Sequence, residues 1–253
     1  MNLQKINIEQ KARDFRNRNA LTPSEPFRLK SLLLKLGVLI VFKPLEKSST
    51  ISGMALKIAE GDVTKRFIFI NSQYTLGRQH FTICHELYHL FIQENFSHQV
   101  CSVGVFDKKD KEEYNADCFA SYFLLPREGI LKMIPQEEKD KKNKITLSTI
   151  LKIEQYFSSS RSALLIRLEE IGLINKDYAE QFKTNISREA LLHGYQTTLY
   201  QPGNTNLIIG DYGDKAKRLF DNEKISESHF ASLMMDIGID ISDGENINYE
   251  NLT

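Results

Sequence analysis

The most informative feature of this sequence is the pentapeptide His85-Glu86-Leu87-Tyr88-His89. Apolar and aromatic residues recur around it at spacings of three and four, which predicts a helix from about Gly77 to Gln93. Two histidines at i and i+4 of a helix share one face, so both imidazoles can reach one metal ion. Glu86 projects beside that ion, where a carboxylate can accept a proton from water. The pentapeptide therefore predicts a zinc site with its own base.

A catalytic zinc ion takes a third protein ligand and keeps one position for water. The best candidate is Glu113, which lies 24 residues after His89 in the sequence Glu-Tyr-Asn-Ala-Asp. Asp117 follows Glu113 at i+4, so both carboxylates face the same side of their helix. Asp117 could accept a hydrogen bond from the free nitrogen of a ligating histidine and fix its tautomer. We expect one Zn²⁺ per chain, bound by His85, His89 and Glu113.

Other residues near the pentapeptide could be taken for ligands. Glu112 lies about 100° around the helix from Glu113, and His80 precedes His85 by five residues and so faces elsewhere. His98 is expected in a loop past the end of the helix. The remaining neighbours, Cys84 and Cys118, are expected to be small buried hydrophobes, the usual state of a free cysteine.

Composition narrows the classes of function. The 253 residues include 33 Lys and Arg and 33 Asp and Glu, a zero net charge that argues against charge-driven binding to nucleic acid or anionic membrane. Three cysteines without a Cys-x-x-Cys pair indicate a reducing compartment. The polar N-terminus has no apolar signal region and no apolar run is long enough to span a membrane. We therefore expect a cytoplasmic protein that contacts neither nucleic acid directly nor membrane.

The pattern of elements predicts an α+β fold. Strands are predicted over 38–42, 52–58 and 66–71, and helices over 8–18, 27–36, 77–93, 108–123, 145–157 and 160–173. A solvated loop is predicted over 136–144. Beyond residue 175 the pattern is weaker, with helices predicted over 187–195, 214–222 and 226–237 and a loop or linker at 201–205. We predict a metallopeptidase domain over 1–174 and a mostly helical extension of unknown role over 175–253.

Two motifs of the chain resemble the ImmA/IrrE metallopeptidases and, more broadly, the gluzincin zinc proteases. They are residues 78–90 (RQHFTICHELYHL) and 113–126 (EYNADCFASYFLLP), and the upstream Gly53 and residues 67–71 are similar to the strand region of that family. The resemblance covers roughly residues 12–173. It implies a small mixed sheet packed on the active-site helix, followed by a helical second half.

The resemblance also implies site residues and a substrate. His85, His89 and Glu113 would be the metal ligands and Glu86 the base, while Asp117 departs from the asparagine usual in the family and is nearer the thermolysin-like form. Members of the family act on helix-turn-helix repressors. The chain would accordingly be a zinc endopeptidase that cleaves an XRE-type helix-turn-helix repressor and so relieves repression.

Two parts of that mechanism stay open at the level of sequence. The donor to the oxyanion could be any of Tyr88, Tyr122, His193 and His229. A substrate segment is expected to bind in extended form along an exposed strand edge near residues 66–71.

A second class of function is a regulatory binding protein, which uses the zinc fold to recognise a repressor or a toxin–antitoxin partner without turnover. The complete ligand set together with Glu86 argues against it, since a purely structural site needs no base and is usually closed by a fourth protein ligand. A metal-free structural α+β domain is the third reading.

Overall fold

We analysed a computed structural model of the chain. It describes residues 3–46, 48–94, 96, 98–101 and 110–241, with the backbone alone described for 98–101.

A five-stranded mixed sheet forms one layer of the described structure. Its strands are β1 (Val38–Lys43), β2 (Gly53–Glu60), β3 (Val63–Asn71), β4 (His98–Cys101) and β5 (Ile208–Ile209). Their spatial order is β4-β2-β3-β1-β5. β1 and β3 pair in parallel, whereas the β2–β3, β2–β4 and β1–β5 pairs are antiparallel.

The central strand of the sheet is β3, in which buried and partly buried residues alternate. Ile68 and Ile70 are fully buried and stand opposite Ile40 and Phe42 of β1. Because β1 and β2 occupy both sides of β3, the expectation that a substrate strand adds near residues 66–71 is wrong. The sheet edges among the described residues belong to β4 and β5.

Helices make up most of the rest of the described chain. They are α1 (Leu3–Arg18), α2 (Leu29–Lys35), α3 (Leu76–Phe91), α4 (Lys111–Leu124), α5 (Arg127–Met133), α6 (Gln136–Lys139), α7 (Leu147–Phe157), α8 (Arg161–Glu170), α9 (Lys176–Glu180), α10 (Ile186–Leu192), α11 (Tyr212–Asp221) and α12 (Glu227–Asp236). Of these helices, α2 and α3 pack on the sheet. The predicted α+β class and mixed sheet are confirmed. No helix in the described ranges is long and apolar enough to cross a membrane.

The element boundaries differ from the predicted ones in a few places. α1 begins five residues before the predicted Ile8, and residues 136–144, predicted as a loop, contain the short helix α6. The expectation that His98 lies in a loop is wrong for its backbone, which belongs to β4. β5 was not predicted, because two residues carry no periodic signal.

The core lies where α3 packs against β2 and β3 on one side and against α4 on the other, with α1 packed on α4. Phe15 of α1 contacts Phe119 and Phe123 of α4 at ring-centroid distances of 5.8 and 5.6 Å. α4 begins at a defined residue because the Asp110 side chain accepts hydrogen bonds from the backbone N–H groups of Glu112 and Glu113. This layering fixes α3 and α4 side by side.

A buried ion pair between α7 and α8 forms hydrogen bonds with the chain beyond residue 175. Arg161 of α8 binds Glu154 of α7 through two nitrogens, at 2.5 and 2.8 Å, and both side chains are essentially buried. Arg161 also donates to the Phe182 carbonyl at 2.9 Å, and the Tyr200 hydroxyl donates to Glu154 at 2.6 Å. The division of the chain at residue 174 stays a prediction, but these contacts cross it.

Replacing Arg161 with Met should destabilise the protein by roughly 3–5 kcal/mol, because it leaves the Glu154 carboxylate buried without its cation. Chemical denaturation followed by circular dichroism measures the change. The double variant Arg161→Met/Glu154→Met should recover most of the loss, since it removes both charges. A single variant as stable as wild type would contradict the role given to this pair.

Candidate metal centre

α3 carries the pentapeptide through the middle of the protein, and both of its faces are covered. From Phe81 to Leu90 every residue of the helix is buried. His85, Glu86 and His89 are 1%, 0% and 0% exposed. Buried polar groups need partners, so the arrangement around these three side chains has to supply them.

The structure brings His85, His89 and Glu113 together, as the spacing predicts. The Nε2 atoms of the two histidines lie 3.1 Å apart. The Glu113 carboxylate places one oxygen 3.3 Å from Nε2 of His85 and the other 3.2 Å from Nε2 of His89. Ligands about 2.0–2.1 Å from a tetrahedral zinc ion stand about 3.3 Å from one another. The three side chains thus fit a zinc ion in both chemistry and spacing.

The second nitrogen of each histidine is engaged by an acceptor. His85 Nδ1 donates to Asp117 Oδ1 at 2.9 Å, the contact expected from the sequence, and His89 Nδ1 donates to the Gln93 side-chain oxygen. Because each Nδ1 donates to its own acceptor, the two Nε2 atoms are the ones that face Glu113 and could bind a metal ion. Sequence reasoning missed Gln93, which lies four residues after His89 and just past the C-terminal end of α3.

The carboxylates dominate the electrostatics of the triad. Burial lowers the pKa of His85, but the hydrogen bonds that its ring donates to the carboxylates of Asp117 and Glu113 outweigh this effect and raise that pKa to about 10. The two histidines hold the pKa of Glu113 far below its usual range despite partial burial. Without a cation, a proton therefore sits on His85 between two carboxylates. A metal ion would replace that proton, because it needs the Nε2 lone pair.

Glu86 lies beside the triad, pressed against the start of β2. A Cβ atom at Gly53 would stand 2.9 Å from Glu86 Oε1 and 2.6 Å from Thr82 Cγ2. Only glycine lets the strand come this close to the helix at that level. The Glu86 carboxylate is consequently enclosed between α3 and β2, next to the metal ligands rather than among them.

The rival ligands lie elsewhere. The Tyr88 hydroxyl donates to Glu112 at 2.7 Å, and the ring of His80 contacts the Ser158 carbonyl at 2.8 Å. Cys84 and Cys118 are free and buried, as expected. The side chain of His98 falls outside the described residues.

None of the four candidate oxyanion donors has a described hydrogen bond to the triad. The Tyr88 hydroxyl is directed to Glu112, and the Tyr122 hydroxyl donates to Glu170 at 2.6 Å. His193 and His229 lie on the exposed surfaces of the C-terminal part. The sequence offered these residues by type alone, and their positions depend on packing between distant elements.

The His-Glu-x-x-His helix, the third carboxylate ligand and the enclosed Glu86 together define a site of the metallopeptidase class. A family model described as the IrrE N-terminal-like peptidase domain matches residues 34–169, from within α2 to within α8. The chain belongs to this family, which confirms the resemblance seen in its motifs. No curated protein matches the chain at a significant level.

Replacing Gln93 with Ala should weaken Zn²⁺ binding by about 10- to 100-fold, the usual cost of losing the partner of a ligating histidine. His89 would lose the acceptor that holds its proton on Nδ1. Competition with a chromophoric chelator measures the dissociation constant. Gln10→Ala is the matched control, since Gln10 is exposed and contacts Asp14 on α1. Equal Zn²⁺ affinities for the two variants would show that Gln93 does not support zinc binding.

Zinc binding at pH 8 should release about one proton per chain. The reason is the raised pKa of His85, which keeps the imidazole protonated at this pH until an ion replaces the proton. Isothermal titration calorimetry in two buffers of different ionisation enthalpy gives the number of protons released. Heats that are identical in the two buffers would show that His85 is already neutral in the metal-free protein.

Proposed function

We propose that this protein is a cytoplasmic, zinc-dependent endopeptidase whose substrate is a helix-turn-helix repressor. The observation that carries the catalytic part is the convergence of His85, His89 and Glu113 on one point, with the buried Glu86 carboxylate beside them. A purely structural zinc site would have no use for a base and would be closed by a fourth protein ligand.

The chemistry divides between the ion and the protein. A zinc ion held by His85, His89 and Glu113 would polarise the scissile carbonyl and lower the pKa of water. Glu86 accepts the proton of the attacking water and returns it to the leaving amine. Asp117 and Gln93 hold the histidine rings in the orientation that binding needs. Enclosure by α3 and β2 keeps the Glu86 carboxylate at a fixed position during both proton transfers.

Substrate access is best from the side of Glu113, whose side chain is 20% exposed while the histidines are buried. The edge strand β4 pairs with β2, and its Cys101 stands opposite Gly53. Gly53 in turn lies against Glu86. An extended substrate segment that adds to the outer edge of β4 would therefore pass close to the base, with its backbone held by strand pairing.

The proposed substrate and the proposed compartment are supported by the family resemblance and by composition, and not by the geometry of the site. Members of the family resembled here act on helix-turn-helix repressors, and an endopeptidase that ends repression needs no nucleic-acid surface of its own, in keeping with the zero net charge. The free thiols of Cys84 and Cys118 fit a reducing compartment.

Replacing Glu86 with Gln should keep Zn²⁺ binding and lower the rate of cleavage by about 10²- to 10⁴-fold, the range for loss of a general base. The substrates to test are purified helix-turn-helix repressors of the XRE type, beginning with any that is encoded next to this protein's gene, with fragments detected by mass spectrometry. Glu112→Gln is the matched control: it changes a carboxylate next to a ligand, yet the amide can still accept from Tyr88. That variant should cleave like wild type.

The outcomes separate the candidate functions. If the zinc-loaded wild type binds the repressor without cleaving it, the protein is a regulatory binding protein and not a peptidase. Failure of the well-folded wild type to bind Zn²⁺ would overturn both.

A further inference from the structure

The first turn of α3 is held by a loop from the far end of the chain, residues 201–205 (QPGNT). The Leu76 N–H donates to the Gln201 carbonyl at 2.9 Å, and Thr75 forms an isolated β-bridge with Pro202. Gly203 packs so closely on Leu76 that a Cβ atom there would stand 2.9 Å from its side chain. The predicted loop exists, but it is bound to the helix that carries the metal ligands and is not a free linker.

Gln79, one turn further along α3, is the centre of this contact. Its side chain is fully buried. The amide nitrogen donates to the carbonyls of Tyr74 at 2.8 Å and Gly203 at 3.0 Å. The amide oxygen accepts from the Asn204 side chain at 3.1 Å. One glutamine therefore joins the loop that precedes α3 to a segment 124 residues later.

The same face of α3 leads from this contact to the catalytic site. Gln79 and Glu86 are seven residues apart, about two turns, so both point in nearly the same direction from the helix axis. Glu86 is stopped against Gly53 of β2, as described above. The helix is thus fixed at two levels of one face, by the 201–205 loop at Gln79 and by β2 at Glu86. A stiff helix fixed in this way cannot rotate or slide freely.

Rotation of α3 matters because the third ligand is on another helix. His85 and His89 move with α3, whereas Glu113 moves with α4. A small rotation of α3 alone would change both nitrogen–oxygen distances of the triad, and a shift of about 1 Å is enough to impair a site of this kind.

We propose that Gln79 and Asn204 are positioning residues for the metal centre: the 201–205 loop sets the rotation of α3 and so the fit of the two histidines to Glu113. The inference rests on the proposed function, since it concerns the same site. It assigns a task to part of the chain beyond residue 175.

The loop offers a matched pair of asparagines for the test. Asn204 and Asn206 both have positive φ, at 60° and 63°, so glycine fits either backbone without strain. Only Asn204 has a described side-chain bond to α3; at Asn206 the described bond is that of its backbone N–H to Phe42. Asn204→Gly and Asn206→Gly therefore carry a similar entropic cost in the unfolded chain and differ in the contact with Gln79. Asn204→Asp adds a variant that keeps the size but cannot donate.

The measurements are the Zn²⁺ dissociation constant by chelator competition and the visible absorption spectrum of the Co²⁺-substituted full-length protein. Asn204→Gly and Asn204→Asp should bind Zn²⁺ about three- to tenfold more weakly than wild type, less than the roughly 10- to 100-fold cost of losing a direct partner of a ligand. Their Co²⁺ spectra should also change. Asn206→Gly should match wild type in both, while all variants remain folded by circular dichroism.

Zinc affinities and Co²⁺ spectra that stay at wild-type values in both Asn204 variants would overturn the positioning role and leave the metal centre itself standing. The same holds if Asn206→Gly lowers affinity as much as Asn204→Gly, since the effect would then belong to the loop backbone. If the folded wild type binds neither ion, the proposed function fails, and this inference fails with it.

Discussion

α3 is enclosed on both faces, by β2 and β3 on one side and by α4 on the other. A helix between a sheet and a second helix exposes almost nothing, yet this one carries two imidazoles and a carboxylate at its centre. Removing such groups from water is costly unless partners replace the solvent. Glu113 and Asp117 on α4 and Gln93, just past the end of α3, are such partners for the two imidazoles. The sheet and α4 therefore enclose the polar groups of α3 as well as its apolar side chains.

The distribution of the site residues over α3 and α4 explains which of them could be predicted from the sequence. His85, Glu86 and His89 lie within two turns of one helix, so helical geometry alone places them together. Glu113 and Asp117 follow the same i and i+4 logic on the next helix, and the structure places Asp117 against His85. Short-range periodicity also predicts β1, β3 and the longer helices, because each buries one face over several residues.

Contacts between distant parts of the chain could not be predicted from short-range periodicity. The sequence did not reveal that β3 is central, since strand order depends on pairing partners rather than on the strand itself. It did not reveal β5, which is too short to have a period, or the bond between Gln79 and Gly203. The choice among the oxyanion candidates was left open for the same reason: a tyrosine can be recognised by type, but the direction of its hydroxyl is set by neighbours such as Glu112 and Glu170.

The pairing of β5 with β1 has a consequence for how the protein is made. A ribosome releases the chain from the N-terminus, so β1, α3 and α4 leave it long before residues 201–209. During that interval the edge of β1 is open and the first turn of α3 lacks its carbonyl partners from the loop. The nascent chain would thus carry all three candidate metal ligands before the loop that contacts α3 has been synthesised. The contacts that hold the first turn of α3 therefore form only after the chain has been extended past residue 201.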